Sequence, residues 1–384
     1  MIYKTIFVPF ICNDRDFRYA RTLNSISADV WNYCVKIDKD NEQKLTLSQL
    51  EAMTKNKFLL HAKGIHHIVF KYYYARNAMW KSRKARHKNS SFVELPYKEK
   101  KYLPTGWDSQ AVHPEYENNK IRLTVLKGKH QIICDVKSIP QNIVEIELVY
   151  RDKYYLAIKY KEEENMNIVK SNNVASIDLG EIHAIASIDN NGNALIITNR
   201  KIRSLIRLKD KRQGELQSLR SDCKLDSNKE KIYTKALYDI KFSYDKKILD
   251  ALHKQTSSYL NWCIKHNISK VYYGDVDGTT RDSKGRLNQT TNHKLNMWRF
   301  GVLVKQLQDK LSRYGIKMIK INEAYTSQTC PFCGKLNKPT GRNYVCKDCK
   351  YEQHRDIVGA INILNFNSNT KLANYINKEY LQIH

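Results

Sequence analysis

Four cysteines, in Cys330-Pro331-Phe332-Cys333 and Cys346-Lys347-Asp348-Cys349, form two C-x2-C pairs separated by 12 residues. A C-x2-C turn brings two sulfurs to one ion. Two such turns close a tetrahedral four-thiolate zinc site with no open position, so the metal would be structural. Asp356 follows seven residues after Cys349, in His354-Arg355-Asp356, and opens an apolar run through Ile357, Ala360, Ile361 and Leu364. A second acid, Asp178, lies inside Val174-Ala175-Ser176-Ile177-Asp178-Leu179-Gly180, where a carboxylate is costly to bury unless it binds metal or an opposite charge. Carboxylates drawn from separate strands and helices are what two-metal hydrolysis of a phosphodiester requires. Two further acids are placed to complete such a set: Asp275, after the strand-like 270–273, and Glu323, just past the strand-like 317–321. Singly, each acid has an ordinary reading: a strand-end ion pair for Asp178, a dipole-stabilised first-turn residue for Asp356, a solvated loop acid for Asp275 or Glu323. Beside a zinc ribbon, they point together to a metal-dependent nuclease.

The elements that must hold these residues follow from periodicity. The first ten residues alternate as one strand, and 14–90 reads as helical, with Phe17, Ala20, Leu23, Val30, Trp31 and Cys34 recurring at helical spacing. Residues 91–118 contain Pro96, Pro104 and Pro114 and read as connection. Short strands at 121–125, 131–134, 143–149 and 154–158 suggest a small barrel or sandwich. A polar linker, 161–173, precedes the strand that carries Asp178. Asn191-Gly192 between apolar runs signals a hairpin. Long basic helices over 201–266, a strand at 270–273, a helix at 294–314 and a last strand at 317–321 complete the pattern.

Lys and Arg total 66 against 39 Asp and Glu, a net charge of +27 spread along the chain. Charge of that size calls for a polyanion, and nucleic acid is the fitting partner. No apolar run reaches the roughly 18 residues of a membrane span. The first residues alternate rather than form a signal peptide. Nine cysteines, an odd number with four in one cluster, suit a reducing compartment and one metal site. Arg76, Lys81, Arg83 and Lys84 are candidate contacts to duplex DNA flanking a target, and Arg203, Arg207, Lys211 and Arg212 candidate contacts along a phosphate backbone.

The order Ile177-Asp178-Leu179-Gly180, hairpin, basic helices, Gly274-Asp275, Glu323-Ala324-Tyr325-Thr326-Ser327-Gln328-Thr329-Cys330, ribbon, His354-Arg355-Asp356, Ala360-Ile361-Asn362 resembles the TnpB family of transposon-encoded RNA-guided nucleases. It equally resembles the related Fanzor proteins, and the family is akin to the type V CRISPR effectors. The resemblance covers 174–364 closely and the N-terminal half only in plan. It implies an α/β multidomain chain: a RuvC-like nuclease domain of RNase H fold with an inserted zinc ribbon, preceded by a helical recognition domain and a small β-barrel wedge domain. The implied divisions are a first wedge strand at 1–12, the recognition domain at 13–95, the wedge at 96–168, the nuclease domain at 169–324 and 354–384, and the ribbon at 325–353. The resemblance makes Asp178 the first catalytic acid and Asp356 the last. Many members carry a glutamate where this chain has Gly274-Asp275, but some branches use one just before the ribbon, where Glu323 stands, so the resemblance makes Glu323 the middle acid, with Asp275 as the fallback. It further implies two catalytic Mg²⁺, one structural Zn²⁺, a guide RNA, a double-stranded DNA target cut beside a short flanking motif, and a monomer with one RNA.

Two other functions compete. A nuclease-dead RNA-guided repressor of the same fold would be expected to have lost its acids, and both Asp178 and Asp356 stand. An unguided zinc-ribbon DNA-binding transposition factor would not need an acid inside a strand. The Lys-, Asn- and Ile-rich composition suggests an AT-rich genome. The expected setting is then a bacterial cytoplasm, at the nucleoid, or the nucleus or viral factory of an infected host.

Overall fold

The structure is a computed structural model describing residues 2–41, 44–85, 98–126, 130–162, 171–274, 298–321, 326–337 and 341–382. It divides into two compact units, Met1–Glu164 and Asn165–His384.

The first unit begins with β1 (Ile2–Pro9) and three helices, α1 (Asp14–Asp40), α2 (Leu47–Thr54) and α3 (Ala62–Ala85). Asn13 starts α1 by accepting the Asp16 amide at 2.8 Å, and Asp14 and Asp16 complement the helix dipole. A reciprocal Thr46–Gln49 capping box starts α2. Six strands follow: β2 (Thr105–Asp108), β3 (Val112–Glu115), β4 (Lys120–Leu126), β5 (His130–Asp135), β6 (Ile143–Tyr150) and β7 (Tyr154–Glu162). They form a four-stranded sheet in the order β1-β7-β6-β2 and a three-stranded sheet β3-β4-β5. The N-terminal strand thus pairs antiparallel with β7, far along the sequence. Helices and sheets share one core that includes Leu23, Trp31, Tyr72, Trp107, Ile121 and Ile146. The region 91–118 is not all connection, because β2 and β3 lie within it. Pro114 is tolerated there because β3 is an edge strand. On α3, His67 bridges Glu145 (2.8 Å) and Glu147 (3.0 Å) of β6, and Lys71 pairs with Glu147.

The second unit is a six-stranded mixed sheet with helices on both faces. Its elements are β8 (Asn173–Asp178), β9 (His183–Asp189), β10 (Asn193–Thr198), α4 (Arg200–Ser221), α5 (Asn228–Lys265), β11 (Ile268–Gly274), α6 (Phe300–Ser312), β12 (Lys317–Ile321), β13 (Asn343–Val345), β14 (Glu352–His354), α7 (Arg355–Asn367) and β15 (Asn377–Gln382). The sheet order is β12-β11-β8-β9-β10-β15. β8, β9 and β10 form an antiparallel meander, whereas β11 and β12 run parallel to β8 on its other side. Gly192, at φ +81°, makes the β9–β10 turn. β15, parallel to β10, adds a strand beyond the one expected as the last at 317–321. Period two sorts β8: Ala175, Ile177 and Leu179 join the core with α5 and α6, while Val174 packs toward α7. Ser176 donates to the Ala360 carbonyl of α7 at 2.6 Å, so Asp178, two residues on, faces α7 as well.

Candidate active site

Asp178 ends β8 at the point where the chain order in the sheet reverses, with β9 on one side and β11 on the other. In open α/β sheets that switch point, outside the strand's carboxyl end, is where ligands bind. Asp356 occupies the first turn of α7, whose Ile357, Ala360, Ile361 and Leu364 are buried against the sheet. Each large apolar side chain of that face contributes about 1.5–3 kcal/mol by leaving water, which fixes the helix start relative to β8. Gly359 shows how close the two acids come. A Cβ placed on it would lie 2.5 Å from Asp178 Oδ2 and 3.0 Å from Asp178 Cγ. The Asp178 carboxylate therefore rests against α7 one turn past Asp356. Residues three apart share a helix face, about 5–6 Å between Cβ atoms, so both carboxylates open onto one face.

Asp356 is enclosed by cations and donors. His183 Nδ1, at the start of β9, is 2.7 Å from Asp356 Oδ2, and Arg342 Nη1 lies 3.4 Å from each carboxylate oxygen. His354 caps the helix, its Nδ1 accepting the Asp356 amide at 3.3 Å. Burial opposes ionisation of Asp356, but the His183 hydrogen bond and the charges of His354 and Arg342 outweigh it and hold its pKa below the usual aspartate value. Burial lowers the pKa of His354. His183 was not singled out from the sequence; its partner lies 173 residues away, and no local spacing marks it. The two carboxylates offer only oxygen, the donor that hard divalent ions such as Mg²⁺ take. β11 and β12 end at the same edge of the sheet as β8, with Gly274 in register with Ile321 and Tyr273 with Ile177. Asp275 and Glu323 themselves lie outside the described residues.

The four cysteines converge. Cys330 and Cys349 sulfurs are 3.7 Å apart and those of Cys333 and Cys346 3.6 Å, with all four within 4.8 Å of one another. A tetrahedral four-thiolate zinc with Zn–S near 2.3 Å has sulfur–sulfur edges of about 3.8 Å, so the cluster is compatible with a zinc ribbon. Each knuckle turns through a left-handed residue, Gly334 at φ +75° and Lys350 at φ +59°. Asn337 Nδ2 donates to Cys346 Sγ at 3.2 Å. The Cys349 amide, with that of Asp348, draws the Cys346 thiol down to about 6, toward the thiolate a metal binds. Beyond Arg342, the ribbon is tied to α7 by packing and by side-chain hydrogen bonds. Val358 packs with Cys330, Tyr344 and Cys346, and Asn362 Nδ2 donates to the Thr326 and Thr329 carbonyls, both at 2.7 Å.

The expected nucleic-acid contacts divide. Arg207, Lys211 and Arg212 are exposed on α4, and Lys81 is exposed on α3. Arg203 is half-exposed and held by Glu181 at 2.7 Å. Arg76 corrects the sequence reading. It is 1% exposed, its guanidinium pairs with Asp38 and donates to the Leu45 carbonyl, and it is a core residue of the first unit. Helical spacing from the exposed Lys81 did not reveal this, because Asp38 comes from α1. Arg83 and Lys84 fall in the last turn of α3, and their side chains lie outside the described set. Among the described residues no helix is long and apolar enough to cross a membrane.

The fold, with its mixed sheet and cysteine cluster, is similar to that of solved Cas12 proteins. The chain superposes on the Cas12f1–sgRNA–target DNA complex with a TM-score of 0.66 at 13% identity, covering 94% of this chain and 98% of that one. It superposes on CasPhi-2 (Cas12j) bound to crRNA with a TM-score of 0.52 at 10% identity, covering 94% and 97%. Residues 300–363 match the family profile described as Cas12f1-like, TNB domain. Over 223 residues the chain is 23% identical to the CRISPR-associated endodeoxyribonuclease Cas12f1 of Syntrophomonas palmitatica, covering 56% of this chain and 43% of that protein. Over 199 residues it is 28% identical to the TnpB-like protein ORF457 of Acidianus two-tailed virus, covering 51% and 42%. The chain thus spans less than half the length of these two curated relatives. These matches make the chain similar to proteins of the TnpB and Cas12f kind.

Proposed function

We propose that this chain is an RNA-guided DNA endonuclease whose second unit is a RuvC-like nuclease domain of RNase H fold. The observation that carries this reading is the meeting of Asp178, at the sheet's switch point, with the first turn of α7 and Asp356, across the unsubstituted Gly359. Names and complexes of relatives, endodeoxyribonucleases and guide-RNA–DNA assemblies, supply the substrate class. Asp178 and Asp356, with Glu323 as third acid and Asp275 as its fallback, would hold two Mg²⁺. Those ions, when bound, supply an activated water and offset charge on the leaving oxygen. The chain's own part is to present fixed oxygens: β8 and α7 set the spacing, and His183 and Arg342 hold Asp356 ionised. Zn²⁺ in the ribbon would rigidify the segment that leads into α7. A guide RNA pairs with one DNA strand while the protein holds the heteroduplex by shape and charge. The exposed Lys81, Arg207, Lys211 and Arg212 would contact phosphates, the sheets of the first unit would form the wedge, and the flanking motif would be read by that unit. The active species would be a monomer with one RNA, of transposon-associated type.

The test is co-expression with the native flanking DNA, sequencing of the RNA that co-purifies, and Mg²⁺-dependent cleavage of a duplex matched to it. One discrete RNA and cleavage that Asp178→Ala abolishes, with RNA retained, are the expected results. Cleavage that persists in Asp178→Ala, or random RNA, would sink the reading.

A further inference from the structure

Resting on the nuclease reading, we propose that His183 is a positioning residue that ties down one oxygen of Asp356, so that the carboxylate can offer a divalent ion only its other oxygen. The site is thereby tuned toward Mg²⁺ and away from Ca²⁺. His183 is 8% exposed, and its Nδ1 stands 2.7 Å from Asp356 Oδ2. An ionised carboxylate can only accept, so Nδ1 carries the hydrogen and donates it. The ring cannot swing away easily. Tyr380 of β15 meets it edge-on at 6.0 Å between centroids, and the His354 ring lies at 5.0 Å on another side. Among the described residues the other side chain on this carboxylate is Arg342, at 3.4 Å and 50% exposed, a longer contact that solvent screens. Oδ2 is thus committed to a short, buried donor, and Oδ1 is the oxygen left for a metal.

The backbone extends the same device to the first acid. Gly180 donates its amide to the His183 carbonyl at 3.1 Å, and a Cβ on Gly180 would come 2.9 Å from that oxygen. One tight turn therefore runs from Asp178 to His183. The segment that carries the first carboxylate by covalent bond also anchors the last one by hydrogen bond. Mg²⁺ takes single oxygens in a near-ideal octahedron at about 2.0–2.1 Å, whereas Ca²⁺ accepts both oxygens of a carboxylate in a larger, looser shell. Holding Oδ2 away suits the first ion and penalises the second.

The experiment is Mn²⁺ titration of the full chain by electron paramagnetic resonance, with Mg²⁺ and Ca²⁺ as competitors, on wild type, His183→Ala, His183→Asn and His183→Gln. Lost support of a metal-binding carboxylate weakens affinity about 10- to 100-fold. We expect His183→Ala to lose about tenfold or more in Mg²⁺ affinity with Ca²⁺ changed by no more than about twofold. Asn carries its amide nitrogen at the δ position, where His carries Nδ1, and should restore Mg²⁺ preference. Gln carries it one methylene further and should behave as Ala does. Unchanged Mg²⁺ affinity in His183→Ala, an equal loss for both ions, or equal behaviour of Asn and Gln would each overturn the proposal. Retained cysteine-bound zinc and an unchanged circular dichroism spectrum establish that each variant is folded. Failure of the nuclease reading looks different: Mn²⁺ either does not bind wild type or binds Asp178→Ala and Asp356→Ala as well as wild type.

Discussion

Replacing Gly359 by alanine is the sharpest test of how the two acids meet. The new methyl would start 2.5 Å from Asp178 Oδ2, and ordinary contact begins near 3.4 Å, so carboxylate and helix must part by about 0.9 Å. Misplacing a reacting group by about 1 Å costs on the order of 10²-fold in rate. Stability should change far less. Alanine in a helix interior is favoured over glycine by about 1 kcal/mol, which offsets part of the roughly 1–3 kcal/mol that overpacking costs. The net loss of about 0–2 kcal/mol corresponds to a few degrees in Tm for a unit of this size. The assay pairs guided cleavage in Mg²⁺ with a thermal melt of the same preparation. Cleavage reduced about 100-fold with Tm within a few degrees is the expected result. Cleavage within about threefold of wild type would refute the reasoning, because it would mean the Asp178 carboxylate tolerates a displacement that a metal-binding geometry does not.

Arg76→Ala should destabilise the first unit by about 3–5 kcal/mol, since it leaves the Asp38 carboxylate buried without its guanidinium; urea unfolding measures this, and weakened DNA binding without loss of stability would contradict it. Removal of zinc by a chelator, or Cys346→Ser, should lower Tm and cleavage together, because Val358 and Asn362 tie the ribbon to the helix of Asp356; metal analysis should give one zinc per chain, and an unchanged melt after complete zinc loss would count against the coupling. Burial works against ionisation of Glu147, yet the hydrogen bond from His67 and the charge of Lys71 bring its pKa down to about 2. The folded value is depressed, so the stabilisation is fully present above the unfolded value near 4.5 and is lost as pH falls toward 2. Glu147→Gln should therefore differ from wild type in denaturant midpoint at pH 6 and converge with it near pH 2, and a pH-independent difference would refute the ion-pair account.

The ribbon and the two carboxylates were legible in the sequence for different reasons. C-x2-C spacing encodes a turn by itself, and an acid in an apolar strand or at the head of an apolar helix stands out against its neighbours. Polar edges were not legible. β15, Asn377-Lys378-Glu379-Tyr380-Leu381-Gln382, is half-exposed at the sheet margin and shows no apolar alternation, so nothing local marks it as a strand. β2 and β3 hide among prolines because an edge strand does not need every amide. Arg76 looks like its basic neighbours until Asp38 arrives from another helix, and His183 looks like a loop histidine until α7 folds across the sheet. In each case the deciding contact is long-range, and composition over a short window carries no trace of it.

Asp178 and Asp356 stand 178 residues apart in the sequence, yet they face one another across a single glycine. A chain emerging from the ribosome makes Asp178 before Asp356 and can fold the β8–β10 meander around it, but the opposing helix does not yet exist. Contacts of such sequence separation form late, because the loop between them must first be closed. The ribbon lies immediately before the second acid, so its four cysteines are made just ahead of α7. The order of translation itself thus keeps the two carboxylates apart until the ribbon and the head of α7 have been made.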